Sequence, residues 1–169
     1  MNAAVPDAPP RSFGTTVTQA RPWVSLAARL VLAVVFALAG WPKLLDADGT
    51  IRSVRAFRLV PEALVPAFGY GLPVLELALA LLLLLGLLTR PAAAVTGVLL
   101  LMFMVGIVAA WARGLSIECG CFGASSGPVV DPVRGYVTDL LRDAGLLLLA
   151  AWLVVFPSSR LSLDSRLGL

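Results

Sequence analysis

Residues 72–88 read LPVLELALALLLLLGLL, an apolar run whose single charged residue is Glu76. Roughly 20 such residues at about 1.5 Å each cross the hydrocarbon core of a bilayer as an α-helix. Residues 92–112 and 136–156 meet the same length rule. A fourth run, residues 23–40, contains one charge, Arg29, which is expected to extend back to the membrane interface.

The composition and the aromatic residues agree with four membrane spans. The 169 residues are 59% hydrophobic and 14% charged, with a mean hydropathy of +0.93. Trp and Tyr favour the headgroup level of a bilayer, and a four-span arrangement divides them between two faces. Trp41, Tyr70, Trp111 and Tyr136 fall on one face, and Trp23 and Trp152 on the other. We therefore predict an all-α, up-and-down four-helix membrane bundle.

The predicted organisation has three parts: a flexible tail at 1–22, the membrane domain at 23–156 and a short tail at 157–169. Residues 44–71 connect the first two spans, and Thr89-Arg90-Pro91 is predicted to form the turn before the third. An alternative for residues 23–40 is a signal peptide, since Ala37-Leu38-Ala39 resembles a cleavage site.

Charged residues in the first connection predict a surface helix. Within residues 51–58, arginines recur every three positions, at Arg52, Arg55 and Arg58, as one stripe of a short amphipathic helix. Such a stripe contacts lipid headgroup phosphates or solvent. The net charge of +3 comes without the interleaved aromatic and basic residues of a nucleic-acid groove, so no nucleic-acid partner is expected.

The only cysteines, Cys119 and Cys121, flank Gly120 in a glycine-rich loop between the last two apolar runs. Thiols kept together at a helix end favour redox chemistry, while a structural or inert pair and a metal site remain alternatives. Gly120 permits the unusual backbone of a ring closed across one residue, and such a strained disulfide is more oxidising than a structural one. The chain contains no histidine, so neither haem nor a resident metal is expected.

In an up-and-down bundle, the ends of the spans bring several charges to the face that carries the cysteines. Glu76 is expected to pair with Lys43 or Arg142, and Asp139 with Arg142, three residues further along one helix. Charges inside a membrane are costly and usually pair within the bundle. They are candidates for proton transfer, by Glu76 or Asp139, and for stabilising a thiolate or an oxygen, by Lys43 or Arg142. The alternative is a structural ion-pair network that fixes helix register.

Orientation does not follow from the basic residues, because each face has six. The tail face has Arg11, Arg21, Arg29, Arg90, Arg160 and Arg166, and the cysteine face has Lys43, Arg52, Arg55, Arg58, Arg113 and Arg134. A disulfide persists on the oxidising side of a membrane. We therefore expect the cysteine loop outside the cell and both termini in the cytoplasm.

Several motifs together resemble those of the MauE family, a branch of the DoxX-like membrane proteins. They are Arg29, Ala39-Gly40-Trp41-Pro42-Lys43-Leu44, Leu72-Pro73-Val74-Leu75-Glu76, Gly86-Leu87-Leu88-Thr89-Arg90, Cys119-Gly120-Cys121-Phe122-Gly123 and Leu141-Arg142-Asp143. The most specific is the cysteine block, including Phe122 and Gly123, and the resemblance covers residues 24–156.

The resemblance implies a membrane bundle that exchanges electrons with an extracytoplasmic thioredoxin-like protein and supports the maturation of secreted disulfide-containing enzymes. It also implies a quinone as the small-molecule partner. This chain lacks the second cysteine pair and the fused thioredoxin domain of redox relatives, so its partner is a separate protein or the quinone itself. Two other functions remain: a subunit of a quinol-oxidising complex, and a non-catalytic scaffold that docks redox enzymes.

Overall fold

The structure, a computed structural model, describes residues 13–115 and 132–157, with side chains for 21–115 and 133–157. Within these ranges the chain forms five α-helices and a single 3₁₀ turn, Glu62–Leu64, and no strand. The helices are α1 (Phe13–Leu45), α2 (Ala47–Phe57), α3 (Val65–Leu85), α4 (Thr89–Ala112) and α5 (Pro132–Val155). The predicted all-α class is confirmed.

The four long helices pack around a common core. Helix α1 packs against α3 and α5, and α4 packs against the same two helices. The end of α1 lies beside α3 where Lys43 meets Glu76, whereas the first half of α1 lies beside the end of α5, where the Ser25 hydroxyl donates to the Phe156 carbonyl. Each of these contacts joins antiparallel neighbours. Small and branched apolar side chains fill the interior, among them Ala28, Leu32, Leu83, Ala93, Leu100 and Leu153.

The outer surface of the bundle is apolar. Large hydrophobic side chains such as Leu38, Leu81, Val98 and Val105 are exposed on it, which is unusual for a protein surrounded by water. Among the described residues, Arg21–Leu45, Glu62–Leu85 and Thr89–Ala112 are long and apolar enough to cross a membrane. Helix α5 has the same length as α4 but carries four charged residues in its first half. The chain is thus a multi-pass membrane protein, and a fourth crossing by α5 stays a prediction.

The predicted amphipathic helix is present as α2. It begins after Asp46, whose carboxylate accepts a hydrogen bond from the Gly49 backbone N–H at 2.8 Å and so caps the first turn. The Arg55 side chain reaches Glu62 in the 3₁₀ turn. The Arg113 guanidinium donates to the carbonyl of Phe57 at 2.7 Å, which ties the end of α2 to the end of α4.

Several helix ends differ from the prediction. Helix α1 begins at Phe13, within the predicted tail, since residues 15–19 contain neither glycine nor proline to stop it. Helix α3 begins at Val65 rather than at residue 72, because Pro66 lies in the first turn, where its missing N–H has no helical acceptor. Glu76, the fifth residue of the apolar run and so about one turn into the predicted span, therefore lies about three turns into α3.

The connection between α3 and α4 also lies earlier than predicted. It consists of residues 86–88, where Gly86 has φ +66° and Leu88 has φ +49°, both in the left-handed region. Thr89-Arg90-Pro91, predicted as the turn, forms the start of α4 instead. Proline suits this position for the same reason as in α3. Pro132 likewise opens α5, four residues before the predicted start of the last span.

Arg29 does not extend to the membrane interface, so that prediction was wrong. Its side chain is only 2% exposed. Arg29 lies on the same face of α1 as Ser25, Leu32 and Phe36, all of which are buried in the bundle. A helix places residues three and four apart on one face, and this register directs Arg29 inward.

Candidate buried charge site

Lys43 and Glu76 form an ion pair between α1 and α3. Lys43 Nζ lies 2.7 Å from Glu76 Oε1, and the two side chains are 6% and 1% exposed. The predicted burial of Glu76 beside a cation is confirmed, with Lys43 as the partner. Because it is enclosed by apolar helices, this pair is shielded from the water that weakens surface ion pairs.

Gly40 allows the two helices to approach closely enough for this pair. A Cβ atom at Gly40 would lie 3.0 Å from Leu77 Cγ and 3.1 Å from the Pro73 carbonyl oxygen. Both distances are shorter than ordinary carbon contacts of about 3.5–4.0 Å. Lys43 follows Gly40 by three residues and therefore lies on the same face of α1.

Arg142 forms a second charge cluster within α5. Its guanidinium lies 3.0 Å from Asp139 Oδ1 and 2.9 Å from Asp143 Oδ1. The predicted pairing of Asp139 with Arg142 is confirmed. Asp143, to which the sequence analysis gave no role of its own, is the more deeply buried of the two carboxylates, with 3% of its side chain exposed against 22% for Asp139.

A signal for Asp143 was present in the sequence. The core positions of α5 include Tyr136, Leu146, Ala150 and Leu153, spaced by three, four or sums of these numbers. Asp143 follows Tyr136 by seven residues and precedes Leu146 by three, so it belongs to the buried face of the helix.

A small cavity of about 20 Å³ connects the two clusters. Glu76, Arg142 and Asp143 line it together with apolar residues that include Phe36 and Phe103. Among the described residues, Glu76 Oε2 and Asp143 Oδ2 have no hydrogen-bond partner. The surface that the lining presents to this cavity is apolar, so it offers no polar contact that would hold a water molecule. Each carboxylate retains one oxygen that can accept a proton.

A second, larger cavity of about 570 Å³ lies between α2, α3 and α4, and we call it the α2–α4 cavity. Lys43 contributes to its wall, and its Nζ atom lies 5.4 Å from the centroid of the Phe103 ring. Phe57 and Phe68 add aromatic surface from α2 and α3. Lys43 thus lies between the Glu76 carboxylate and an apolar space of ligand size.

The predicted cysteine block, Cys119, Gly120, Cys121, Phe122 and Gly123, lies outside the described residues. The two ends of the chain that flank it are close together. The Trp111 and Tyr136 rings lie 6.4 Å apart between centroids, and the Tyr136 hydroxyl donates to the Leu115 carbonyl. Cys119 follows Leu115 by four residues along the chain.

Comparison with known proteins identifies relatives along most of the chain. The family described as Methylamine utilisation protein MauE matches residues 21–156. A protein of Methylorubrum extorquens called Methylamine utilization protein MauE is 35% identical over 155 residues, which is 88% of this chain and 80% of the relative. No solved structure matches the chain.

Two other relatives with the same name align over shorter segments. The protein of Methylophilus methylotrophus is 39% identical over 101 residues, and that of Paracoccus denitrificans is 36% identical over 103 residues. These alignments cover 59% and 60% of this chain, and 53% and 55% of the relatives. The chain therefore aligns with about half the length of each of these two proteins.

Proposed function

Because the chain belongs to the MauE family, we propose that it is a membrane thiol–disulfide redox protein that acts in the maturation of secreted proteins. It passes electrons between an extracytoplasmic thioredoxin-like protein and a quinone. The relatives bear the name methylamine utilisation protein, and the proposed secreted clients of this chain include enzymes of methylamine utilisation.

The observation that supports this function best is the position of the buried charges relative to the cysteine loop. The end of α1 that carries Lys43, the start of α5 and the end of α4 all belong to one end of the bundle, and the cysteine segment connects the last two. A thiol reacts as the thiolate, which a nearby cation stabilises. Among the described residues, Lys43 is a buried cation at this end and Arg142 a partly buried one, and the acids beside them are the buried Glu76 and Asp143 and the partly buried Asp139.

The proposed step balances two electrons and two protons. A dithiol partner reduces the Cys119–Cys121 disulfide by exchange through a mixed disulfide, and the partner leaves oxidised. The Cys119 and Cys121 thiols then give two electrons and two protons to the quinone, which becomes a quinol while the disulfide re-forms. Glu76 and Asp143, each of which has one carboxylate oxygen without a hydrogen-bond partner among the described residues, carry the protons.

The orientation that serves this chemistry places the cysteine loop outside the plasma membrane and both termini in the cytoplasm. The four long helices then cross as an up-and-down bundle. Helix α5 completes the fourth crossing because its Asp139, Arg142 and Asp143 side chains pair with one another and two of them line an interior cavity, which reduces the cost of placing them in the membrane.

The test uses the purified protein in lipid nanodiscs with a reduced thioredoxin-like substrate and decylubiquinone. Quinol formation and substrate thiol loss should proceed one to one, and Cys119→Ser or Cys121→Ser should abolish both. One of these variants should accumulate a mixed disulfide with the substrate. A double Ser variant that still supports full maturation of secreted disulfide proteins in cells would contradict the redox function and favour a scaffold. Quinol oxidation that does not need the cysteines would favour a subunit of a quinol-oxidising complex.

A further inference from the structure

We propose that the α2–α4 cavity is the binding site of the quinone head group, with one of its carbonyl oxygens accepting a hydrogen bond from Lys43. This site deepens the proposed function and rests on it for the identity of the ligand. It assigns the quinone to a defined part of the fold, between the surface helix α2 and the two helices that follow it.

Lys43 provides the polar contact. A lysine ammonium has three N–H donors, and among the described residues its only hydrogen-bond acceptor is Glu76 Oε1. The side chain is almost fully buried, so donors that lack acceptors carry a desolvation cost. Because Lys43 lines the cavity, an oxygen atom bound there would accept a hydrogen bond from the ammonium and reduce that cost.

The rest of the wall suits a flat apolar ring. Phe57, Phe68 and Phe103 line the cavity from three different helices. The Thr50 hydroxyl, also in the wall, is already directed to the carbonyls of Lys43 and Asp46, at 3.1 and 3.0 Å. The wall also contains Ser53, so Lys43 and Ser53 are the polar side chains available to orient a bound ring, and the aromatic side chains supply stacking surface.

The rim of the cavity provides a route for an apolar tail. Val98, Met102 and Val105 of α4 line the cavity and are also exposed on the outer apolar surface of the bundle. A ligand can therefore place its ring beside Lys43 while its tail remains among lipid chains. This geometry excludes a water-soluble ligand as the natural occupant, because its polar surface would face hydrocarbon.

Fatty acids and phospholipids also have apolar tails, but their negative charge makes them poorer ligands for this cavity than an uncharged quinone. The Lys43–Glu76 pair is neutral as a unit. A carboxylate or phosphate beside Lys43 would bring a second anion close to Glu76 in a medium of low dielectric constant, where like charges repel strongly. An uncharged carbonyl oxygen accepts the same hydrogen bond without that repulsion.

The experiment measures decylubiquinone binding to the Cys119→Ser/Cys121→Ser protein in nanodiscs, so that binding is separated from thiol chemistry. Val98→Trp places an indole at the rim of the cavity and should weaken binding at least tenfold. The matched control is Val95→Trp, an exposed position one turn earlier on α4 that does not line the cavity, and its affinity should be unchanged. The double variant Lys43→Met/Glu76→Gln, which removes both charges, should also weaken binding.

A photoreactive azidoquinone provides the second measurement, and its cross-links should map to α2 and α4 residues of the cavity wall. Equal affinity in Val98→Trp and Val95→Trp, or cross-links confined to other surfaces, would overturn the site. Displacement of decylubiquinone by equimolar oleate would identify the cavity as an acyl-chain site and overturn the assignment to quinone. Failure of the redox function itself would appear separately, as full maturation activity in cells that carry the double Ser variant.

Discussion

Lys43 and Glu76 illustrate how a single buried pair connects the helices of a membrane protein. Neither charge is stable alone in an apolar interior, because the surroundings lack the water that would solvate it. At 2.7 Å each group solvates the other, and the pair holds the end of α1 against α3. The second oxygen of Glu76 has no hydrogen-bond partner among the described residues, so this carboxylate can still accept a proton.

Removing one partner of this pair should destabilise the protein more than removing both. Lys43→Met leaves Glu76 buried without its counter-charge and should cost about 3–5 kcal/mol. The double variant Lys43→Met/Glu76→Gln removes both charges and should recover most of that loss. Thermal or denaturant unfolding in the same detergent measures the difference. Equal destabilisation by the single and double variants would show that the pair does not act as a unit.

Sequence reasoning predicted which charged residues pair but not how deeply each charged side chain is buried. Glu76 and Arg142 were recognisable because a charge inside an apolar run needs a partner. The burial of Arg29 was not predictable in this way. Its position near the start of the run allowed either extension to the interface or burial, and helix register decided between them. Roles in catalysis for Lys43, Glu76, Asp139 and Arg142 stay predictions.

Helix contacts depend on where small residues allow close approach. Gly40 lies at the contact of α1 with α3, whereas Gly97 of α4 faces α5 with more space, since a Cβ there would lie 3.6 Å from Leu147 Cδ1. The same substitution at these two glycines therefore has different consequences. Apolar periodicity alone predicts neither contact, because both glycines lie in uniformly apolar runs.

Gly40→Ala should push α1 away from α3 and destabilise the protein by about 1–3 kcal/mol, the usual cost of overpacking. The matched control Gly97→Ala should be neutral or stabilising by up to about 1 kcal/mol, because alanine favours the helix and its Cβ makes an ordinary contact. Unfolding of both variants in detergent gives the comparison. An unchanged stability for Gly40→Ala would contradict the close α1–α3 contact.

Element boundaries were less predictable than element types. Hydropathy located the four long helices, but the starts of α3, α4 and α5 depended on prolines, of which Pro91 had been predicted to lie in a turn. Pro66, Pro91 and Pro132 all lie in a first helical turn, where proline is tolerated. The surface helix α2 was correctly predicted from its arginine stripe, whose polarity differs from that of its apolar neighbours.

The two ends of the molecule differ: one carries helix α2 and the helix ends that flank the cysteine segment, and the other is a short turn. Helix α2 and the ends of α4 and α5 that flank the cysteine segment belong to the first end, joined by the bonds from Arg113 to Phe57 and from Tyr136 to Leu115. Residues 86–88 lie at the opposite end. Because the two ends have equal numbers of basic residues, the positive-inside rule favours neither orientation.

Single cysteines introduced into the Cys119→Ser/Cys121→Ser background should report this orientation without relying on the native thiols. Arg52→Cys in α2 and Arg90→Cys beside the α3–α4 turn are both at exposed positions at opposite ends of the bundle. If the cysteine loop is extracytoplasmic, a membrane-impermeant maleimide should label Arg52→Cys in intact cells and Arg90→Cys only after permeabilisation. A permeant maleimide should label both and serves as the control for accessibility. The reverse pattern would place the native thiols in the reducing cytoplasm, where a disulfide does not persist, and would remove the physical basis for oxidation of secreted proteins by this chain.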